Sequence, residues 1–128
     1  MMLKGIHHVA IICSNYQRSN HFYVHTLGLE LVREIHRRHR GSWKLDLMVG
    51  GEYQIELFSF SDPPKRPSHP EACGLRHIAF EVDNVAVAAE RFRRKGIEVE
   101  PIRGDEATGK KFTFFEDPDD LPIEIYEV

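Results

Sequence analysis

Short apolar runs recur in the same order in each half of the chain. Residues 6–13 and 75–82 are dense in β-branched and apolar side chains and predict buried strands. Each is followed by a cap candidate, Ser14 in the first half and Asp83 or Asn84 in the second. Their side chains can accept bonds from the first free N–H groups of a helix. Helical spacing then runs through Phe22, Tyr23 and Leu27, and through Val85, Ala88, Ala89 and Phe92. Gly28 and Gly96 fall at the C′ position of those helices, where a left-handed conformation suits glycine. Extended chain restarts at 29–32 and 97–99. Two further strands follow in each half, about 43–49 and 53–60, then 111–115 and 122–126. Gly50-Gly51 and Asp117-Pro-Asp-Asp120 form the turns between them.

The predicted order is βαβββ, written twice, in the α+β class. Segment 61–73 holds four of the seven prolines and reads as an extended linker. Module one is expected over about 5–60 and module two over about 74–128, together one domain.

The repetition extends to individual residues. Gly5-Ile-His-His-Val-Ala-Ile11 returns as Gly74-Leu-Arg-His-Ile-Ala-Phe80, and Ile55-Glu56-Leu57 returns as Ile123-Glu124-Ile125. His8 and Glu56 stand 48 residues apart, His77 and Glu124 47. Strand alternation sets Val9, Ile11 and Cys13 against His8, Ala10 and Ile12. It likewise sets Ile55 and Leu57 against Gln54, Glu56 and Phe58. In the second half Ile78, Phe80 and Val82 oppose His77, Ala79 and Glu81, and Ile123 and Ile125 oppose Glu124 and Tyr126.

All four repeated polar residues therefore fall on the face away from the helix. A single strand histidine is usually hydrogen-bonded at a core or edge, and a single strand glutamate is usually solvated. The fourfold match outweighs that simpler account. Two imidazoles and two carboxylates suit the first shell of one divalent metal ion, and an ionised Glu buried there needs a cation. His7 falls on the opposite face, with Arg76 as its counterpart, and reads as structural. His21, His25, His36, His39 and His69 have no repeat partner and read as surface residues.

Composition narrows the function classes. With 17 basic against 20 acidic residues the net charge is −3, so the chain lacks the basic excess of a nucleic-acid binder. No apolar run approaches the ~20 residues of a membrane span. His7 and His8 interrupt the stretch where a signal peptide would be apolar. Cys13 and Cys73 make no disulfide framework, which favours reduced thiols and a cytoplasmic location.

At this point the chain resembles the vicinal-oxygen-chelate superfamily, and most closely its small bacterial glyoxalase I-like proteins. The matching segments are His8-Val-Ala-Ile11, Phe22-Tyr23 with Leu27-Gly28-Leu29, and Ile55-Glu56-Leu57. They continue through Gly74 to Phe80 with Val82-Asp83, and through Phe115-Glu-Asp-Pro-Asp119 before Ile123-Glu124. The resemblance covers essentially the whole chain. It implies the glyoxalase/bleomycin-resistance/dioxygenase fold, in which paired βαβββ modules form a curved, cup-like mixed sheet around a metal.

Carried over residue by residue, the ligands are His8, Glu56, His77 and Glu124, binding Ni, Zn, Co or Mn. Fosfomycin-resistance proteins and ring-cleaving dioxygenases use three ligands, and methylmalonyl-CoA epimerase usually has Gln where Glu56 stands. The second carboxylate therefore favours the glyoxalase I pattern.

The resemblance implies a lactoylglutathione lyase-like lyase or isomerase, moving a proton on an α-hydroxycarbonyl or hemithioacetal through an enediolate. The base role falls chiefly to Glu124, with Glu56 second. Phe58 and Tyr126 are candidate pocket walls, and Trp43 reads as core packing. The expected partner is a small-molecule substrate, in a homodimer whose sites close within one chain or across the interface.

Bacterial glyoxalase I carries an arginine four residues after its first histidine ligand, for a glutathione carboxylate; here that position is Ile12. Glutathione remains a candidate co-substrate, with Arg37, Arg38, Arg40, Arg76 or Arg103 as replacements, although most of these also read as solvated surface charges. Two alternatives stand beside this reading: an epimerase acting on another substrate, and a non-catalytic binding protein that sequesters a small molecule.

Overall fold

The computed structural model describes every residue from Met1 to Val128. Chain contacts divide it into two compact units, Met1–Pro64 and Lys65–Val128.

In the first unit, strand β1 (Val9–Cys13) leads into helix α1 (Tyr16–Asn20), which runs on as a π-helical turn over His21–Thr26. Strand β2 (Glu30–Arg37) follows, then a 3-10 turn (Arg38–Arg40), β3 (Ser42–Val49) and β4 (Glu52–Ser59). The second unit repeats the plan with β5 (Ile78–Val82), α2 (Val85–Arg94), β6 (Arg103–Gly104), β7 (Lys111–Glu116) and β8 (Pro122–Glu127). Its sheet runs β5-β8-β7-β6 and the first runs β1-β4-β3-β2, so the two share one topology. In each, the first and last strands pair in parallel and the remaining pairs are antiparallel. Each unit is thus a mixed four-stranded sheet with a helix crossover, the expected βαβββ module of an α+β fold.

Each sheet buries the face its alternation marks as apolar. Ile11, Cys13, Leu45, Leu47, Ile55 and Leu57 are buried in the first unit together with Phe22 and Tyr23. Phe115, Ile123 and Ile125 are buried in the second with Val85 and Ala89 of α2. Burying a side chain of this size stabilises by roughly 1.5–3 kcal/mol. Asn84 caps α2, its side chain accepting from Val87 N at 3.0 Å. The first turn of α2 contains no acidic residue, and Glu127 at the end of β8 supplies the carboxylate, accepting from Val85 N at 3.0 Å. Gly28 and Gly96 have φ of +81° and +88°, the conformation that releases the chain from each helix with least strain.

Several local expectations are corrected. The first strand of each unit begins later than its apolar run, at Val9 and Ile78, so His8 and His77 stand just before their strands. The N-cap of α1 is Asn15, not Ser14: its side chain reaches Arg18 N at 3.0 Å. Residues 97–99 join no ladder, and the second strand of unit two shrinks to Arg103–Gly104. Pro101 cannot donate a ladder bond and interrupts that stretch. Cys13 is buried, Cys73 is exposed, and no disulfide joins them. No helix is long and apolar enough to cross a membrane.

Candidate metal centre

Register places one His–Glu pair in each unit. Ala10 pairs with Glu56 across β1 and β4, and Ala79 pairs with Glu124 across β5 and β8. The histidine two residues before each alanine reaches its glutamate. His8 Nε2 lies 3.5 Å from Glu56 Oε2, and His77 Nε2 lies 3.1 Å from Glu124 Oε1. Both glutamates are nearly covered, with side chains 10% and 13% exposed. Neither unit alone gathers three or more His, Cys, Asp or Glu into a group able to hold a metal.

The donor atoms nonetheless suit a divalent cation. Zinc-type bonds of about 2.1 Å set neighbouring ligands roughly 3.0–3.4 Å apart in tetrahedral or octahedral arrangements. With nitrogen and oxygen donors, the His77–Glu124 pair at 3.1 Å falls within that spacing and the His8–Glu56 pair at 3.5 Å just beyond it. One local adjustment is needed at His77. Arg76 Nη1 lies 3.2 Å from His77 Nδ1 and can only donate, which leaves the ring proton on Nε2, facing Glu124. Ligation through Nε2 needs that proton on Nδ1, so Arg76 has to yield.

The surroundings of the two pairs differ sharply. In unit one, two β-bulges rebuild the site face. Val32 is the extra residue between the Leu31–Leu47 and Arg33–Asp46 partners, and Gln54 the extra residue between Met48–Tyr53 and Leu47–Ile55. Each slip changes the parity of its strand. The first turns Arg33 onto the site face opposite Asp46; the second brings Tyr53 there in place of Gln54.

Asp46 is fully buried. It is bonded by Arg33 Nε at 2.6 Å and approached by Lys44 Nζ at 3.1 Å. Its Oδ1 lacks a well-directed hydrogen bond, but the Lys44 ammonium neutralises it. Burial alone would raise the Asp46 pKa; the bonds from Arg33, Lys44 and Tyr53 override it and hold the carboxyl below the ordinary aspartate range.

Lys44 Nζ also lies 3.6 Å from Glu56 Oε2, the oxygen to which the Tyr53 hydroxyl donates. Burial, with the neighbouring Glu56 and Asp46 carboxylates, pushes Tyr53 above the usual phenol range, so it stays protonated and donating. Glu56 is therefore held by a hydroxyl, an ammonium and an imidazole.

Unit two has no such array. Opposite Glu124 stands Phe114, where Glu56 has Asp46, and Phe112 pairs with Tyr126, where Lys44 pairs with Phe58. The His77 ring meets Phe114 edge-on at 5.1 Å. Tyr126 bonds to Asp105 at 2.9 Å and to Thr108 rather than to Glu124. Glu124 has one polar partner, His77.

His7 does not lie on the far side of the sheet. Strand alternation has not begun at that point, and its Nδ1 sits 2.8 Å from Nδ1 of His8. Trp43 stacks between Tyr16 and His36 on the helix side, so it lines no site, and His36 is exposed as expected. Lys44, Asp46 and Tyr53 were not singled out from the sequence. Lys44 and Asp46 share strand parity and carried a signal, since two ions two residues apart in an apolar strand share one face. Tyr53 depended on an unforeseen bulge.

Fold and paired His–Glu residues together point to a class. The model of the Glyoxalase/Bleomycin resistance protein/Dioxygenase superfamily matches residues 5–125, and the chain belongs to that superfamily. Within it, the chain is 59% identical over 127 residues to the uncharacterized protein YwkD of Bacillus subtilis, covering 99% of both. It is 30% identical over 127 residues to the lactoylglutathione lyase of Salmonella typhimurium, covering 94% of this chain and 90% of that one.

Among solved structures, a glyoxalase family protein from Enterococcus faecalis superposes with a TM-score of 0.90 at 51% identity, covering 99% of this chain and 100% of that one. A fosfomycin resistance protein, FosX of Listeria monocytogenes, complexed with Mn(II) and a dihydroxypropylphosphonic acid, shares the fold. Its TM-score is 0.73 at 20% identity, over 98% of this chain and 90% of that one.

Proposed function

We propose that the chain is a divalent-metal-dependent lyase or isomerase of the glyoxalase I type, acting on an α-hydroxycarbonyl or hemithioacetal. The observation that carries this reading is the same His–Glu pair against the same register of both sheets, with donor atoms 3.5 and 3.1 Å apart, near metal-ligand spacing. In this reading His8, Glu56, His77 and Glu124 together hold one ion of Ni, Zn, Co or Mn, in a cytoplasmic homodimer. The 30% identical lactoylglutathione lyase supports the reaction class, and FosX, as a protein of this fold complexed with Mn(II), supports the cofactor.

When bound, a divalent cation would supply Lewis acidity, which acidifies the C–H next to the substrate's carbonyl. The remaining work falls to the chain. Glu124 takes the proton from one carbon and returns it to the next, because no residue but His77 competes for its oxygens. Glu56 serves as ligand only: its Oε2 is already engaged by Tyr53 and Lys44. Phe114 stands across the ladder from Glu124, and the Arg103 guanidinium lies over the Phe112 and Phe114 rings on the same face.

The test is turnover of methylglyoxal–glutathione hemithioacetal by protein loaded separately with Ni, Co, Zn and Mn, alongside elemental analysis of protein purified without added metal. Glu124→Gln should abolish turnover, and Glu56→Gln should reduce it less while loosening the metal. Inactivity with all four ions would remove this substrate. Persistent absence of bound metal would favour a binding protein instead.

A further inference from the structure

The β2–β3 hairpin of unit one carries charge that the His–Glu pair does not use. Residues 33–44 hold five Arg or Lys against one carboxylate, in a chain whose net charge is −3. Arg33 is neutralised by Asp46, and Lys44 by Asp46 and Glu56. Arg38 and Arg40 are exposed on the 3-10 turn.

Arg37 differs from all of these. It is half-buried, at the end of β2, on the same face as Glu56 and Phe58. Its guanidinium carbon lies over the Phe58 ring at 4.8 Å and the Phe60 ring at 5.8 Å, two rings stacked within 9° of parallel. One nitrogen, Nη2, donates to the buried Ser42 Oγ at 2.9 Å. Nε is buried with no acceptor, and no carboxylate lies within ion-pair distance. The other half-buried arginine, Arg66, has Ser68 Oγ at 2.6 Å and the Leu75 carbonyl at 3.0 Å. A partly desolvated guanidinium fixed by two rings and a serine, yet without a counter-ion, is costly unless an anion completes it.

We propose that Arg37 is the fixed donor of an oxyanion subsite, with Phe58 and Phe60 as its apolar floor. The subsite takes a carboxylate or phosphate of the substrate, on the sheet face that carries Glu56. Phe58 is two strand residues beyond Glu56, so the anion sits roughly 7 Å along the sheet from that carboxylate. Arg38 and Arg40 raise the local concentration of anions without fixing them. Assigning the anion to the substrate rests on the proton-transfer reading above; anion binding itself does not.

The experiment is an NMR and calorimetric titration of the full chain in EDTA, at constant ionic strength, with inorganic phosphate and with succinate as probes. Binding should shift the Arg37 Nε–H resonance, and Arg37→Met should weaken it at least about 10-fold. Arg37→Lys, which keeps charge but loses the planar fork, should weaken it less. Arg94→Met, on α2 and paired with Glu90, should leave it unchanged. Tighter phosphate binding assigns a phosphate-bearing substrate, and tighter succinate binding a carboxylate-bearing one.

An unmoved Arg37 resonance at saturation, or equal losses from Arg37→Met and Arg40→Met, would overturn the subsite, and so would binding of neither probe. The resonance shift is read on the unmutated chain and stands even if Arg37→Met fails to fold. Because no metal is present, inactivity toward the hemithioacetal leaves this result intact, and failure here leaves the metal-site reading intact.

Discussion

Replacing Asp46 by Asn probes the charged array beneath Glu56 with almost no change of shape. Asp46 is fully buried with Arg33 Nε at 2.6 Å and Lys44 Nζ at 3.1 Å. At an effective dielectric of about 20, each contact is worth roughly 5–6 kcal/mol of gross attraction. Desolvation offsets most of it, and breaking a buried pair typically costs about 3–5 kcal/mol. The Arg33 side chain is 56% exposed and water screens its share, whereas Lys44 is 21% exposed. Asn keeps one acceptor oxygen, so the expected loss is about 2–3 kcal/mol, nearly all through Lys44.

In urea that should lower the unfolding midpoint by on the order of 1 M at unchanged slope. The pH dependence supplies a second check. The folded-state pKa of Asp46 lies below the ordinary 3.8, so its contribution is present above that value and lost as pH falls through the folded pKa. The gap between wild type and Asp46→Asn should be widest at neutral pH and close in acid. Equal midpoints at pH 7, or a gap that never narrows as pH is lowered below 3.8, would refute the array as a source of stability.

Other outcomes follow from the same geometry. Tyr53→Phe removes the hydroxyl that orients Glu56 and should weaken divalent-metal affinity by about 10- to 100-fold, read by competition with a chromogenic chelator. Lys44→Met removes the positive charge 3.6 Å from the same oxygen and should tighten metal binding in that assay. Ile123→Ala empties a fully buried position in β8 and should cost about 2–5 kcal/mol by denaturant unfolding. Asn84→Ala strips the cap of α2 and should cost about 1 kcal/mol, with Glu127 still holding Val85 N.

Much of this protein was legible residue by residue. Alternating Ile11/Cys13, Ile55/Leu57 and Ile123/Ile125 marked the helix side of each sheet, because a period of two leaves a strand no other way to bury one face. Gly28 and Gly96 marked where the helices end. Element edges were less legible. His8 and His77 read as strand residues because their neighbours are apolar, but parallel pairing starts one residue later, at Val9–Ile55 and Ile78–Ile123. Asn15 rather than Ser14 caps α1, a choice between adjacent residues that composition could not make.

The sequence by itself determined the doubled βαβββ order and which histidine and glutamate share a face, since both follow from local periodicity and repetition. Tertiary structure decided how unlike the two His–Glu pairs are. Bulges at Val32 and Gln54 reverse the parity of β2 and β4, swinging Arg33 and Tyr53 onto the site face beside Lys44 and Asp46, while the second sheet keeps an unbroken register and aromatic neighbours. A bulge is a property of two paired strands rather than of either alone. The environment that sets Glu56 apart from Glu124 therefore exists only once the ladder has formed.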